Sequence, residues 1–163
     1  MNLLMITRTV DRNDVRAGHT SAWVRRLGEE LLTQHGKLSV ICLGAGDTQG
    51  LPENVTIHSL GKERGVPRWW RWLQFPFAVW SALKDADAVF CHQNPEYTIA
   101  VWPWARLRRK PIVSWYTHGT VRWKTRLVAR LADVVLTASA ESFRINTPKR
   151  KIVGHGIDTE QFQ

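Results

Sequence analysis

The feature that most constrains this chain is a regular alternation. Short apolar runs, four to six residues long, are separated by longer stretches with helical spacing. The runs are "LLMI" (3–6), "LSVICL" (38–43), "VTIHSL" (55–60), "DAVFCH" (87–92), "PIVSWY" (111–116), "DVVLTA" (133–138) and "KIVG" (151–154). Between them, residues 20–35 place Trp23, Val24, Leu27, Leu31 and Leu32 on one helix face, and Gly36 closes that helix. Residues 96–108 and 121–131 read as further helices, and 141–146 as a short one. Runs this apolar suit strands buried on both faces of a parallel sheet, with helices as the crossovers. The expectation is a doubly wound α/β domain of about seven strands spanning residues 1–163.

Such a Rossmann-like sheet binds ligands beyond the carboxyl ends of its strands. That rule selects five loops: "TRTVDRNDVRAGHT", "HQNPEY", "YTHGT", "TASAES" and "GHGID". The first contains Arg12 and ends in Gly18 and His19, where a helix N-terminus either receives phosphate or simply begins after a loop. Gly18 is a lone glycine and lacks the full dinucleotide fingerprint, so a nicotinamide enzyme is poorly supported. In the second loop Asn94-Pro95 starts a turn, and Glu96 serves either as a first-turn charge on the helix dipole or in catalysis. His118 stands beside Gly119; its imidazole is either a satisfied loop residue or a group for a sugar hydroxyl or a proton. Ser139 reads as an N-cap with Ser142 in the first turn.

Composition adds a second constraint. The net charge is +9, which attracts polyanions: nucleic acid, acidic lipid or phosphorylated ligands. There are nine Trp, and Trp69, Trp70, Trp72 and Trp123 stand directly beside Arg or Lys, a pairing that favours the headgroup level of a membrane. The densest case is "RGVPRWWRWLQFPFAVWSALK". On a helix, Trp69, Trp72, Leu73, Trp80 and Leu83 share a face while Arg68, Arg71 and Gln74 lie towards the other, and Pro76 should kink or split it. The segment is either an interfacial helix on anionic lipid or a core helix whose Trp rings pack on the sheet. "RLRRK" (106–110) and "VRWKTR" (121–126) are further basic clusters. No apolar stretch is long enough to span a bilayer and no secretory leader is evident. Cys42 and Cys91, the two cysteines, sit inside apolar runs, as small buried hydrophobes do in a reducing compartment.

Taken in order, "MITR" with its long loop to Gly18, "VTIHSLGKE", "HQNPEY", "YTHGT", "TASAESF" and the terminal "GHGID" resemble the N-terminal domain of a GT-B glycosyltransferase of family 4. The resemblance covers essentially the whole chain. It implies an acceptor-side domain whose partner, a C-terminal nucleotide-sugar domain, lies outside these 163 residues. It places His118 near the reacting carbon of the donor sugar, and the loop before Gly18 against the donor diphosphate and acceptor. Gly156, Ile157 and Asp158 correspond to the crossover into the second domain. It implies a nucleotide-sugar as substrate, no cofactor, no divalent metal, and a lipid-linked or polysaccharide acceptor. It also implies work at the inner face of the cell membrane, from the cytoplasmic side, through Arg68, Trp69, Trp70, Arg71 and Trp72. Two departures stand out: Ala17 precedes Gly18 where the family often has a second glycine, and the family's paired glutamates, seven residues apart, have no counterpart here. Such a domain is expected to turn over weakly or not at all alone, acting with a second domain or a partner chain.

Two other classes stay open at this level. One is a non-catalytic peripheral membrane or scaffold domain with the same fold. The other is a basic nucleic-acid-binding module, which charge alone would allow; no specific nucleic acid is expected, because the aromatic residues sit in a helix rather than on a sheet face.

Overall fold

The computed structural model describes residues 1–15 and 18–154. Seven strands form one sheet: β1 (Leu3–Val10), β2 (Leu38–Ala45), β3 (Val55–Ser59), β4 (Ala88–His92), β5 (Ile112–Trp115), β6 (Val134–Thr137) and β7 (Arg150–Ile152). Four helices connect them: α1 (Gly18–Thr33), α2 (Arg68–Ala82), α3 (Pro95–Leu107) and α4 (Trp123–Leu131), with a single 3₁₀ turn at Lys62–Arg64. The strand order is β3-β2-β1-β4-β5-β6-β7 and every pairing is parallel. This is the doubly wound Rossmann-like α/β sheet expected from the alternation.

The strand period of two divides the core into two layers. Leu3 and Met5 point to the α1 side, where Val24 and Leu31 meet Val40, Cys42, Phe90 and Trp115. Leu4 and Ile6 point to the other side, where α2, α3 and α4 contribute Phe75, Val79, Val101 and Val128. Fully burying one such side chain stabilises the fold by about 1.5–3 kcal/mol, so the two stripes suffice to hold the helices on the sheet. Cys42 and Cys91 are buried and unbridged, and burial pushes both thiols up to about 12.

Several local expectations are corrected. No helix forms over 141–146: the Ser139 hydroxyl accepts the Ser142 N–H at 3.2 Å in a local turn, and Phe143 drops into the core against Tyr116. Pro76 does not split α2, which runs unbroken from Arg68 to Ala82. Its ring has no N–H to donate to the Trp72 carbonyl. The left-handed residue after α1 is His35 (φ 52), and the Gly36 N–H closes the end by donating to the Leu31 carbonyl at 2.8 Å. The crossover residues Gly156, Ile157 and Asp158 lie outside the described residues.

Strand order reverses between β1 and β4. Their carboxyl ends therefore diverge into a crevice, the place where a doubly wound sheet takes its ligand.

Candidate functional site

The crevice is occupied by a cavity of about 310 Å³. Arg8, at the end of β1, forms one wall. Leu43, near the end of β2, and Leu60, just beyond β3, form the floor on one side, and Asn94, Glu96 and Tyr97 close the other from the start of α3. The roof is the first part of α2: Arg68, Arg71, Trp72 and Phe75. A crossover helix starts at the carboxyl edge, so its first turns overhang the strands. Side chains that would be core further along the helix face an opening there instead.

This explains how α2 divides its residues. Phe75, Val79 and Leu83 are buried, and Leu83 thus parts from the face that periodicity had it share with Trp69, Trp72, Leu73 and Trp80. Trp69, Trp70, Leu73, Phe77 and Trp80 are exposed, Phe77 at 78%. Trp72 lines the cavity while remaining 48% exposed. Trp rings of α2 thus do not pack on the sheet; Phe75 and Val79 do. Arg68 and Arg71, expected on the side away from Trp72, line the cavity together with it.

The polar groups of the cavity are unequally engaged. Glu96 is paired with Lys124. Burial opposes its charge, but Lys124 and the residue's own backbone N–H outweigh this and hold its carboxyl below the ordinary range. Asn94 precedes α3 without a side-chain cap; its amide donates to the Tyr97 hydroxyl at 3.1 Å. Burial pushes that hydroxyl up to about 12, so Tyr97 stays neutral. Arg71 has a buried Nε with no hydrogen-bond acceptor among the described residues.

A second group of residues stands beside the cavity at the same edge. Gln93 follows β4 in a left-handed conformation (φ 67), an uncommon backbone for a residue other than glycine. Its amide lies 3.5 Å from the Nε2 of His19, in the first turn of α1. His92 is buried, with Nδ1 3.2 Å from the Thr7 hydroxyl and Nε2 without a hydrogen-bond partner among the described residues. Burial, helped by the nearby His19, lowers its pKa to about 4, so the imidazole is neutral near pH 7.

The remaining predicted residues are more dispersed. Arg12 is tied to Asp47, at 3.3 Å through the side chain and 2.9 Å through the backbone. Gly18 opens α1. His118 is exposed in the loop after β5, its ring centroid 5.5 Å from that of Tyr116. A Cβ on Gly119 would stand 2.7 Å from the Glu141 carbonyl oxygen, so this glycine admits the neighbouring loop. Ser139 is engaged by Ser142. Sequence reasoning did not single out Arg8, Gln93 or Tyr97. It also passed over an Asp-x-Asp, Asp85-Ala86-Asp87, which lies before β4 at the opposite edge and anchors Asn2: Asp87 Oδ2 accepts the Asn2 N–H at 2.7 Å. Among the described residues, no group of three or more His, Cys, Asp or Glu could hold a metal ion. No helix among them is long and apolar enough to cross a membrane.

Comparison with known proteins adds the lineage. The model of Glycosyltransferase Family 4 matches residues 20–161. No curated protein matches the sequence. Among solved structures, MurG of Acinetobacter baumannii superposes with a TM-score of 0.62 at 15% identity, covering 100% of this chain and 48% of that one. Anabaena Alr3699/HepE in complex with UDP and glucose gives 0.64 at 14%, covering 98% and 46%. A UDP-GlcNAc 2-epimerase from Methanocaldococcus jannaschii gives 0.61 at 12%, covering 94% and 45%. The chain spans about half the length of the solved structures it matches. At these identities the likeness shows the fold alone, one used by an epimerase as well.

Proposed function

The chain belongs to Glycosyltransferase Family 4 over residues 20–161, and we propose that it is the acceptor side of a membrane-associated sugar transferase. A second domain, on the same or a partner chain, supplies the nucleotide-sugar. The observation that carries this reading is the crevice between β1 and β4. It offers a half-apolar cavity with arginines, and beside it a set of neutral and hydroxyl groups, as one wall of a cleft; in this reading stabilising the leaving nucleotide falls to the second domain. Such electrostatic stabilisation usually contributes more to catalysis than any other single effect. The solved structure of HepE holds UDP and glucose and is about twice as long as this chain, in line with a donor supplied from elsewhere.

In this reading His118 and Gly119 lie on the rim that faces the donor sugar. Arg12, Gly18 and His19 form the loop side, and Asn94, Glu96 and Ser139 complete the acceptor side. His118 is solvent-accessible and free to turn towards a bound sugar. The exposed stripe of α2, with Trp69, Trp70 and Phe77, rests at the headgroup level of the inner membrane face. Arg108 extends this surface, its guanidinium 3.9 Å from the Trp80 ring centroid. The acceptor is then lipid-linked or a membrane-bound glycan.

Gene deletion in the source cells, followed by mass spectrometry of envelope glycolipids and polysaccharides, tests the reading. The expected result is the loss of one sugar increment from one glycan. An unchanged glycan profile contradicts it. Robust sugar transfer to a membrane-lipid extract by the isolated chain would remove the need for a second domain.

A further inference from the structure

We propose that the cavity beneath the first turns of α2 binds the phosphoryl end of an amphiphilic, lipid-linked molecule. The inference rests on the acceptor-side reading above and names the chemistry of what that side takes.

Three arginines, Arg8, Arg68 and Arg71, line a single cavity of about 310 Å³. None of the three guanidiniums makes a hydrogen bond or ion pair to a described residue, and Arg71 carries a buried Nε without an acceptor. Three guanidiniums around one opening repel each other, and a buried donor without an acceptor is costly to maintain. The only carboxylate among the lining residues is Glu96, and Lys124 already holds it. The cavity therefore lacks an anion with several acceptor oxygens, and a phosphoryl group supplies what planar guanidiniums bind best.

The other walls argue against a bare phosphate. Leu43, Leu60, Trp72 and Phe75 present apolar surface to the same space. A small inorganic anion would leave that surface wet; an anion with an apolar stem would cover it. Trp72 joins the two regions, since it lines the cavity and is half exposed beside Trp69 and Trp70. A head group anchored in a bilayer against the α2 stripe would have a short, continuous path into the arginines.

The test is calorimetric titration of the 163-residue chain with decyl diphosphate below its micelle concentration, with inorganic pyrophosphate, and with decanol. Saturable binding of decyl diphosphate, at least about tenfold tighter than either control, is expected, each tenfold being the loss of one good contact. Arg71→Gln and Arg8→Gln should each weaken it by about tenfold or more, and Arg25→Gln on α1 should not. Circular dichroism confirms that each variant is folded, and Arg71→Lys, which keeps charge but not the fork, should bind at an intermediate level. Equal affinity for pyrophosphate would assign the cavity to free phosphate, equal affinity for decanol would make it merely apolar, and either result overturns the proposal. So does binding that survives both Gln substitutions. Flotation with anionic vesicles is measured in parallel. Flotation without decyl diphosphate binding sinks the cavity proposal alone, whereas decyl diphosphate binding without flotation supports it and sinks the membrane reading.

Discussion

Helices α1 and α2 do the same structural work on opposite faces of the sheet and differ in what they show to solvent. Each buries one apolar stripe: Val24 and Leu31 from α1, Phe75 and Val79 from α2. Beyond that stripe α1 is an ordinary surface helix, with Arg25, Arg26, Glu29 and Glu30 exposed and Arg25 paired to Glu29 at 3.4 Å. The outward side of α2 carries Trp69, Trp70, Leu73, Phe77 and Trp80, and no acidic residue occurs anywhere in that helix. The sheet needs only the inner stripe of each, so the aromatic surplus of α2 answers to something other than folding. Large contiguous apolar patches of this kind mark interaction surfaces.

The sharpest way to break this comparison is within α2 itself. Phe75→Ala should destabilise the fold by about 3–5 kcal/mol in urea denaturation, whereas Phe77→Ala, two residues on, should stay within about 0.5 kcal/mol. Comparable losses from both would mean that the outer stripe is structural after all. Next in size is membrane partitioning. Replacing Trp69, Trp70 and Phe77 with Ala should reduce binding to anionic vesicles by about a thousandfold or more, given ~1.5–3 kcal/mol per buried aromatic. Replacing Arg25 and Arg26 of α1 with Gln should change it far less, and equal effects would erase the distinction between the two faces.

The α1 side has its own sensitivity, to pH. His92 packs under α1 with its ring centroid 5.6 Å from that of Trp23, and its folded pKa of about 4 lies below the ordinary 6.5. Between those values the unfolded chain binds a proton that the folded one refuses. Stability is therefore full above about pH 6.5 and is lost as pH falls towards 4, with about 2 kcal/mol lost between pH 7 and pH 5. Thermal unfolding should show this loss, and His92→Gln should flatten it; an unaltered slope in that variant would assign the pH effect elsewhere. The smallest effect belongs to Arg108→Gln. It removes a cation–π contact between the half-buried Arg108 and the partly exposed Trp80 and should cost about 0.5–1 kcal/mol.

The fold was legible because burial on both faces of a parallel sheet leaves unbroken apolar runs, and all seven strands overlap such runs, including the edge strands β3 and β7 that stay partly exposed. What was less legible depends on tertiary context. β1 continues to Val10 because Thr7, Thr9 and Val10 favour extended backbone and pair with β2, Thr9 opposite Gly44 and Val10 opposite Ala45. The polarity of that stretch reads as loop, and Arg8 was hidden inside it. The 141–146 stretch has helical composition, yet Phe143 gains more from burial against Tyr116 than a short helix would supply. In α2 periodicity located an aromatic face, but not the overhang that turns Arg68, Arg71 and Trp72 into cavity walls; only the sheet edge beneath them does that. Left-handed Gln93 carries no compositional signal at all.

The most direct measurement is flotation of the 163-residue chain with phosphatidylglycerol-containing vesicles at near-physiological salt. The account predicts that the chain rises with these vesicles, rises less with purely zwitterionic ones, and stays below when Trp69, Trp70 and Phe77 are replaced by Ala. A chain that remains at the bottom of the gradient with both vesicle types would contradict it, and would leave the aromatic face of α2 to another protein surface.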